Sequence, residues 1–278
     1  MGKALVLGGG GVAGIAWETG LLAGLFDIGV DLTDADLFVG TSAGSVVATQ
    51  VATGVPLGAL YERQLTPPEQ SAERAVAFDV DAFAAELVVM LADRPEPVEL
   101  RRRLGRLALE AETVPEAERV AIIGARLPVH EWPDRGLVVT AVDALTGELV
   151  AFDRTAGVDL VDAVAASCAV PGVWPPVTIG DRRYIDGGVR STINADLADG
   201  HEQLVVVAPM PVGLAGKVDD EVQARRDAGA RVVVVSGDAA AQAAFGTNPL
   251  DPATRRPSAE AGWAQAAAVA ASVAEVWT

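Results

Sequence analysis

The sequence predicts an α/β fold, and three observations predict it. Short aliphatic runs at 3–7 (KALVL), 36–40 (DLFVG), 203–208 and 231–236 are separated by stretches whose apolar residues recur at helical spacing. Glycines bunch where a strand gives way to a helix, at Gly8 to Gly11 and Gly14, and again at Gly40 and Gly44. The core must be built from small side chains, because 50% of the 278 residues are hydrophobic and only 5% are aromatic. Ala and Val dominate instead, which suits helices packed on a β-branched sheet. The length fits a single domain over 1–278 that carries an insertion.

The elements follow in order. After the strand at 3–7 and its glycine turn, Trp17, Leu21, Leu25 and Ile28 mark a helix that stops near Gly29. The strand at 36–40 is followed by a helix from Ser42 to about Thr53, ended by Gly54 and Pro56. Residues 60–135 differ in character, being rich in Glu, Arg, Ala and Leu and cut into pieces by seven prolines; they are expected to form a helical insertion or cap. On one of its helical faces stand Phe83, Leu87 and Met90, which either line a substrate channel or pack as core. Residues 137–142 and 148–152 flank a turn at Leu145-Thr146-Gly147 and predict a hairpin. A short helix over about 159–168, a strand pair within 177–185 and an Ala/Val helix from about 258 complete the pattern.

Composition excludes several functions. The net charge is −17, Lys3 and Lys217 are the only lysines, and Arg101-Arg102-Arg103 is the one basic cluster, so no nucleic-acid partner is expected. Strong attraction to anionic bilayers is excluded on the same ground, and the acidity reads as a solvated surface. Cys168 is the only cysteine, which rules out an intramolecular disulfide and agrees with a reducing compartment. The first apolar stretch is too short for a signal-peptide core, and no run of 18 apolar residues exists. The expectation is a cytoplasmic protein with no transmembrane segment and at most transient contact with a membrane surface. No metal-ligand spacing is visible, so no metal or other cofactor is expected and calcium is not required.

Three motifs carry chemistry. Gly40-Thr41-Ser42-Ala43-Gly44 is a G-x-S-x-G sequence between a strand and a helix, the setting of a nucleophile elbow; the alternative is an ordinary strand-to-helix turn with Ser42 or Ser45 as its cap. Gly9-Gly10-Gly11-Val12-Ala13-Gly14 fits a dinucleotide-binding turn, an oxyanion hole or a packing turn. A dinucleotide site wants an acidic residue at the end of the next strand, and that strand ends instead at Ser42, which points to the oxyanion reading. Asp186-Gly187-Gly188 is either a plain turn or the site of a base. The chain has two histidines, His130 and His201. A Ser-His-Asp triad must recruit one of them, and otherwise Asp186 must take the serine proton directly.

Together these pieces resemble the patatin-like phospholipase family: LVLGGGGVAGIAWETGLL at 5–22, GTSAGS at 40–45, YIDGG at 184–188, and the segment from Ala165 to Pro176 similar to the family's ASxAxPGxFPP. The resemblance spans about residues 3–210. It implies a three-layer α/β/α sandwich with a central, mostly parallel sheet. It also implies a serine acyl hydrolase, an esterase or phospholipase A-like enzyme acting on acyl esters or phospholipids through an acyl-enzyme. It carries the nucleophile to Ser42, the base to Asp186, and the oxyanion donors to the backbone of Gly9, Gly10 and Gly11. Gly14, Gly40, Gly44, Gly187 and Gly188 support the turns. The family turn usually has Arg or Lys where this chain has Ala13, which puts phospholipid as the substrate in doubt. An α/β-hydrolase with a Ser42–Asp186–His201 triad and a non-catalytic lipid-binding relative are the competing readings.

Overall fold

The computed structural model describes residues 2–70, 73–75, 80–213 and 216–278. Strand β1 (Lys3–Leu7) leads through the glycine turn into α1 (Gly11–Asp27), and β2 (Leu37–Thr41) leads into α2 (Ala43–Ala52). Four helices follow: α3 (Leu57–Leu65), α4 (Val80–Leu91), α5 (Pro97–Glu110) and α6 (Glu116–Arg126). Next come β3 (Gly136–Asp143), β4 (Leu149–Phe152), α7 (Leu160–Ser167), β5 (Val177–Ile179), β6 (Arg182–Asp186) and β7 (Gln203–Ala208). A small ribbon of β8 (Val212–Gly213) and β9 (Gly216–Lys217) precedes α8 (Val218–Asp227), β10 (Arg231–Ser236), α9 (Ala239–Phe245) and α10 (Arg255–Trp277). Within 60–135, where a helical insertion is expected, the regular structure among the described residues before β3 is helical, joined by irregular segments; residues 71–72 and 76–79 lie outside the described residues.

The sheet runs β10-β7-β1-β2-β3-β6-β5, with β4 paired to β3 off this path. Neighbours from β10 to β3 are parallel, whereas the β3–β4, β3–β6 and β5–β6 pairings are antiparallel. The sheet is therefore mixed, parallel in the half that carries Ser42. Alternation along the strands divides the core between two faces. Leu5, Leu7, Val205 and Val207 pack with α1, α2, α7 and α10 on one side. Ala4, Val6, Leu204 and Val206 pack with Val218 and Val222 of α8 on the other. Farther along, Leu100, Leu104 and Ala108 of α5 cover Val142, Ala144 and Ile185. The architecture is an α/β/α sandwich, and α5 builds part of one layer. Among the described residues no helix is long and apolar enough to cross a membrane.

Helix α10 begins at Arg255, a few residues before the expected start at about 258, and so takes Pro257 into its first turn. A proline inside the first turn is tolerated there, because the N–H it lacks has no intrahelical acceptor. Helix α9 is capped by Asp238, which accepts from the Ala241 N–H at 2.8 Å.

Helices α1 and α10 meet along a seam of glycines. A Cβ on Gly24 would lie 2.8 Å from the Ala266 Cβ, and Cβ atoms on Gly20 and Gly262 would strike the backbone carbonyls of Ala259 and Trp17. Beside the seam, Trp17 Nε1 donates to Gln265 Oε1 at 3.0 Å. In an exposed helix, Gly→Ala adds roughly 0.5–1 kcal/mol of stability. Gly262→Ala is expected to do the opposite, lowering stability by about 1–3 kcal/mol through overpacking. Urea unfolding checks this by a lower midpoint at unchanged slope; a midpoint that rises would show that the seam has room.

Candidate active site

Ser42 follows β2 and Asp186 ends β6, and β3 brings them together. Thr41 pairs with Thr140, and the next residue of β3, Ala141, pairs with Asp186. Residues 144 positions apart are thereby placed so that Ser42 Oγ donates to Asp186 Oδ2 at 2.7 Å. Ser42 adopts φ 53° and ψ −116°, a backbone conformation costly for a residue with a side chain. Local bonds hold it there. The Ser42 N–H donates to Ser167 Oγ at 2.9 Å, while the Ser42 carbonyl accepts from Ser45 Oγ at 2.7 Å and from Cys168 Sγ at 3.2 Å.

The flanking glycines are there for space. A Cβ on Gly40 would lie 2.5 Å from the Ser45 Cα, and one on Gly44 would strike the Leu7 carbonyl. Gly44 also donates to the Gly8 carbonyl at 2.9 Å, tying the elbow to the glycine turn. The Ser42 side chain makes no capping hydrogen bond to α2, so it stays available to Asp186. The helix begins directly beneath it, with the positive end of its dipole at the hydroxyl.

Asp186 is 4% exposed. Its Oδ1 accepts from the Gly188 N–H at 2.7 Å. A Cβ on Gly188 would lie 2.9 Å from that oxygen, and one on Gly187 would strike Thr140. Burial pushes the Asp186 carboxyl up to about 6, against the opposing pull of the Ser42 hydroxyl, the Gly188 N–H and the charge of Arg119.

The glycine turn supplies fewer free donors than its pattern implies. The Gly9 N–H, expected to face the oxyanion, donates instead to the Thr192 carbonyl at 2.8 Å. The N–H groups of Gly10 and Gly11 have no acceptor among the described residues. Gly9 contributes space, its missing Cβ lying 3.5 Å from the Ser42 Cβ. Gly14 packs closely on α2, where a Cβ would lie 3.3 Å from that of Ala43. Ala13 is fully buried in the core, and its N–H donates to the Pro249 carbonyl at 2.9 Å.

Neither histidine joins this group. His130 is exposed, with Nε2 against the Gly124 carbonyl at 3.0 Å. His201 lies at the opposite end of the sheet, beside Gly2 ahead of β1, with Nδ1 against the Ala198 carbonyl at 3.1 Å. Residues that the sequence did not single out do join it. Ser167 and Cys168 clasp the elbow from the segment after α7, and Arg119 arrives from α6. Ser167 and Cys168 fall in the ASxAxPG-like stretch, whereas nothing local marks Arg119.

Ser42 opens on a cavity of about 50 Å³, walled by Gly11, Ile15, Arg119, Val170, Trp174 and Leu250 among others. Trp174 is shared with a far larger open groove of about 1040 Å³, which Phe83, Met90, Leu107, Val114 and Pro171 also line. Phe83 and Met90 therefore serve both as packing and as groove wall, while Leu87 packs on the core beneath α5. Among the described residues no cluster of three or more His, Cys, Asp or Glu side chains is placed to hold a metal ion.

Comparison with known proteins gives three findings. The chain is 27% identical over 196 residues to uncharacterised NTE family proteins of Mycobacterium bovis and Mycobacterium tuberculosis, a match covering 69% of this chain and 27% of each relative. It thus spans about a quarter of the length of the curated relatives it matches. Similar solved structures include VipD from Legionella pneumophila, with 14% identity and TM-score 0.49 over 98% of this chain and 67% of that one. Another is the type III effector protein ExoU, with 18% identity and TM-score 0.40 over 95% of this chain and 53% of that one. The model of the family described as patatin-like phospholipase matches residues 5–199, a stretch that holds the elbow, the glycine turn and Asp186, and the chain belongs to that family.

Proposed function

We propose that this protein is a serine acyl hydrolase that cleaves lipid-type carboxylic esters through a Ser42–Asp186 dyad. The observation that carries this reading is the 2.7 Å hydrogen bond from Ser42 Oγ to Asp186 Oδ2, made by a serine held at positive φ on an elbow. Ser42 Oγ attacks the ester carbonyl as Asp186 Oδ2 takes its proton. The carbonyl electron pair moves onto oxygen, where the N–H groups of Gly10 and Gly11 receive it. Donors so placed are worth roughly 3–4 kcal/mol each in comparable sites. Asp186 then returns the proton to the departing alcohol. Water, deprotonated by the same carboxylate, cleaves the acyl-enzyme and regenerates Ser42.

A carboxylate is a weak base at its ordinary pKa, and burial is what makes Asp186 useful. With its pKa pushed up to about 6, it is still mostly ionised at neutral pH yet binds a proton far better than an exposed aspartate. Substrate reaches Ser42 past Trp174, with the acyl chain lying in the groove lined by Phe83 and Met90.

Four outcomes test the reading. Ser42→Ala and Asp186→Asn are each expected to lower kcat/KM on a soluble ester by about 10⁴-fold or more with the fold intact by circular dichroism. His130→Ala and His201→Ala should change it little; a well-folded His201→Ala enzyme as inactive as Ser42→Ala would replace the dyad with a triad. The reaction needs the ionised carboxylate, and its raised pKa means that kcat/KM should fall tenfold per pH unit below about pH 6. That limb should persist in the double variant lacking both histidines, and its loss there would assign it to an imidazole. Finally, Phe83→Ala or Met90→Ala should shift the preferred acyl length. Lower stability at unchanged preference would make these side chains packing alone.

A further inference from the structure

The cavity at Ser42 has two cations in its wall, and they differ in one respect. Arg126 is matched: its Nε and Nη2 meet the two carboxylate oxygens of Glu73 at 2.6 and 2.7 Å. Arg119 is not. It is 3% exposed, and its guanidinium carbon lies over the Trp174 ring, 3.7 Å from the centroid. Its Nε and Nη1 are buried with neither a hydrogen bond nor an ion pair among the described residues. Asp186 feels the charge of Arg119 without touching it.

A buried guanidinium that keeps donors unspent is costly, because it has given up water without replacing it. Stacking on Trp174 satisfies one face of the group but none of its N–H donors. The edge of a guanidinium is a planar fork matched to two oxygens of an anion. Here the guanidinium lies in the wall of the cavity on which Ser42 opens, and an anion there would take its unspent donors. The glycine turn, with Ala13 buried in the core, brings no cation of its own. We propose that Arg119 is a specificity-determining residue that binds the phosphate oxygens of a phosphate-bearing ester beside Ser42, so that such esters are hydrolysed in preference to neutral ones. The proposal rests on the ester-hydrolase reading for its substrate and on the cavity for its anion.

The test uses the full chain, wild type and with Arg119→Gln or Arg119→Lys, each checked by circular dichroism and thermal unfolding. Two substrates of equal acyl length are compared, a short-chain glycerophospholipid and a triacylglycerol, and inorganic phosphate is titrated calorimetrically. Arg119→Gln should lower kcat/KM on the phospholipid at least tenfold more than on the triacylglycerol, mainly through KM, and should weaken phosphate binding at least tenfold. Arg119→Lys keeps the charge without the fork, so its substrate ratio should fall between the two; it also carries the test if Arg119→Gln fails to fold.

An equal fall on both substrates, with the acid limb moved to higher pH, would mean that Arg119 only balances the charge of Asp186, and would overturn the proposal. An unchanged substrate ratio would also overturn it, and phosphate binding that still depended on Arg119 would then mark a site for free phosphate. If wild type hydrolyses neither substrate, the hydrolase reading fails and the phosphate titration alone decides. Binding weakened by Arg119→Gln would uphold the anion site, and binding absent or unaffected would remove it.

Discussion

A carboxylate with 4% of its surface exposed sets conditions on everything within its reach, and in this fold that carboxylate is Asp186. Its oxygens are met by one hydroxyl and one backbone N–H, fewer than a buried carboxylate can accept. The shortfall keeps its pKa raised. More donors would have stabilised the anion and returned the pKa toward that of an ordinary aspartate. The same condition fixes the neighbours. Gly188 must approach Oδ1 through its N–H with no side chain in the way, Gly187 must pass against Thr140, and Ser42 must be aimed at Oδ2 from a strand two places away in the sheet.

Aiming Ser42 has its own cost. A non-glycine residue at such dihedrals is strained by roughly 1–3 kcal/mol. The bonds to Ser167, Ser45 and Cys168, with the Gly44–Gly8 tie, are each worth about 1 kcal/mol or less, enough together to hold the turn. Ser167 and Cys168 end and follow α7, in the segment that leads to the Asp186 strand. Asp186 is tied to that segment as well, its N–H donating to the Ala169 carbonyl at 3.0 Å. Ser42 and Asp186 are thus fastened to the same short stretch, which fixes their separation.

The sequence was most informative where one local pattern determines one local shape. The strand-turn-helix around Ser42 needs only its own glycines, and the hairpin at 136–152 needs only its turn. It was least informative where a partner comes from far along the chain. Three glycines in the first turn imply three donors, but the carbonyl of Thr192 claims the one at Gly9. Arg119 sits in an amphipathic helix like any other arginine, and only the docking of α6 beside α7 turns it inward. Phe83, Leu87 and Met90 share a helical face, yet the fold gives Leu87 to the core and the other two to both core and groove. Asp186 and Ser42 were paired by family likeness, because the strand that joins them, β3, has no mark of that task in its own residues.

The stretch shared with the family ends at residue 199, but the material that shapes the site does not. Pro249 holds the backbone of Ala13, Leu250 forms a wall of the chamber, and α10 is locked through bare backbone onto the helix that springs from the glycine turn. The shared stretch is therefore not a self-sufficient module that could be moved between polypeptides. The later segment is free to drift in sequence only where it does not touch this seam, so variation there should be patchy, with small residues held fixed along one stripe of α10 and latitude everywhere else.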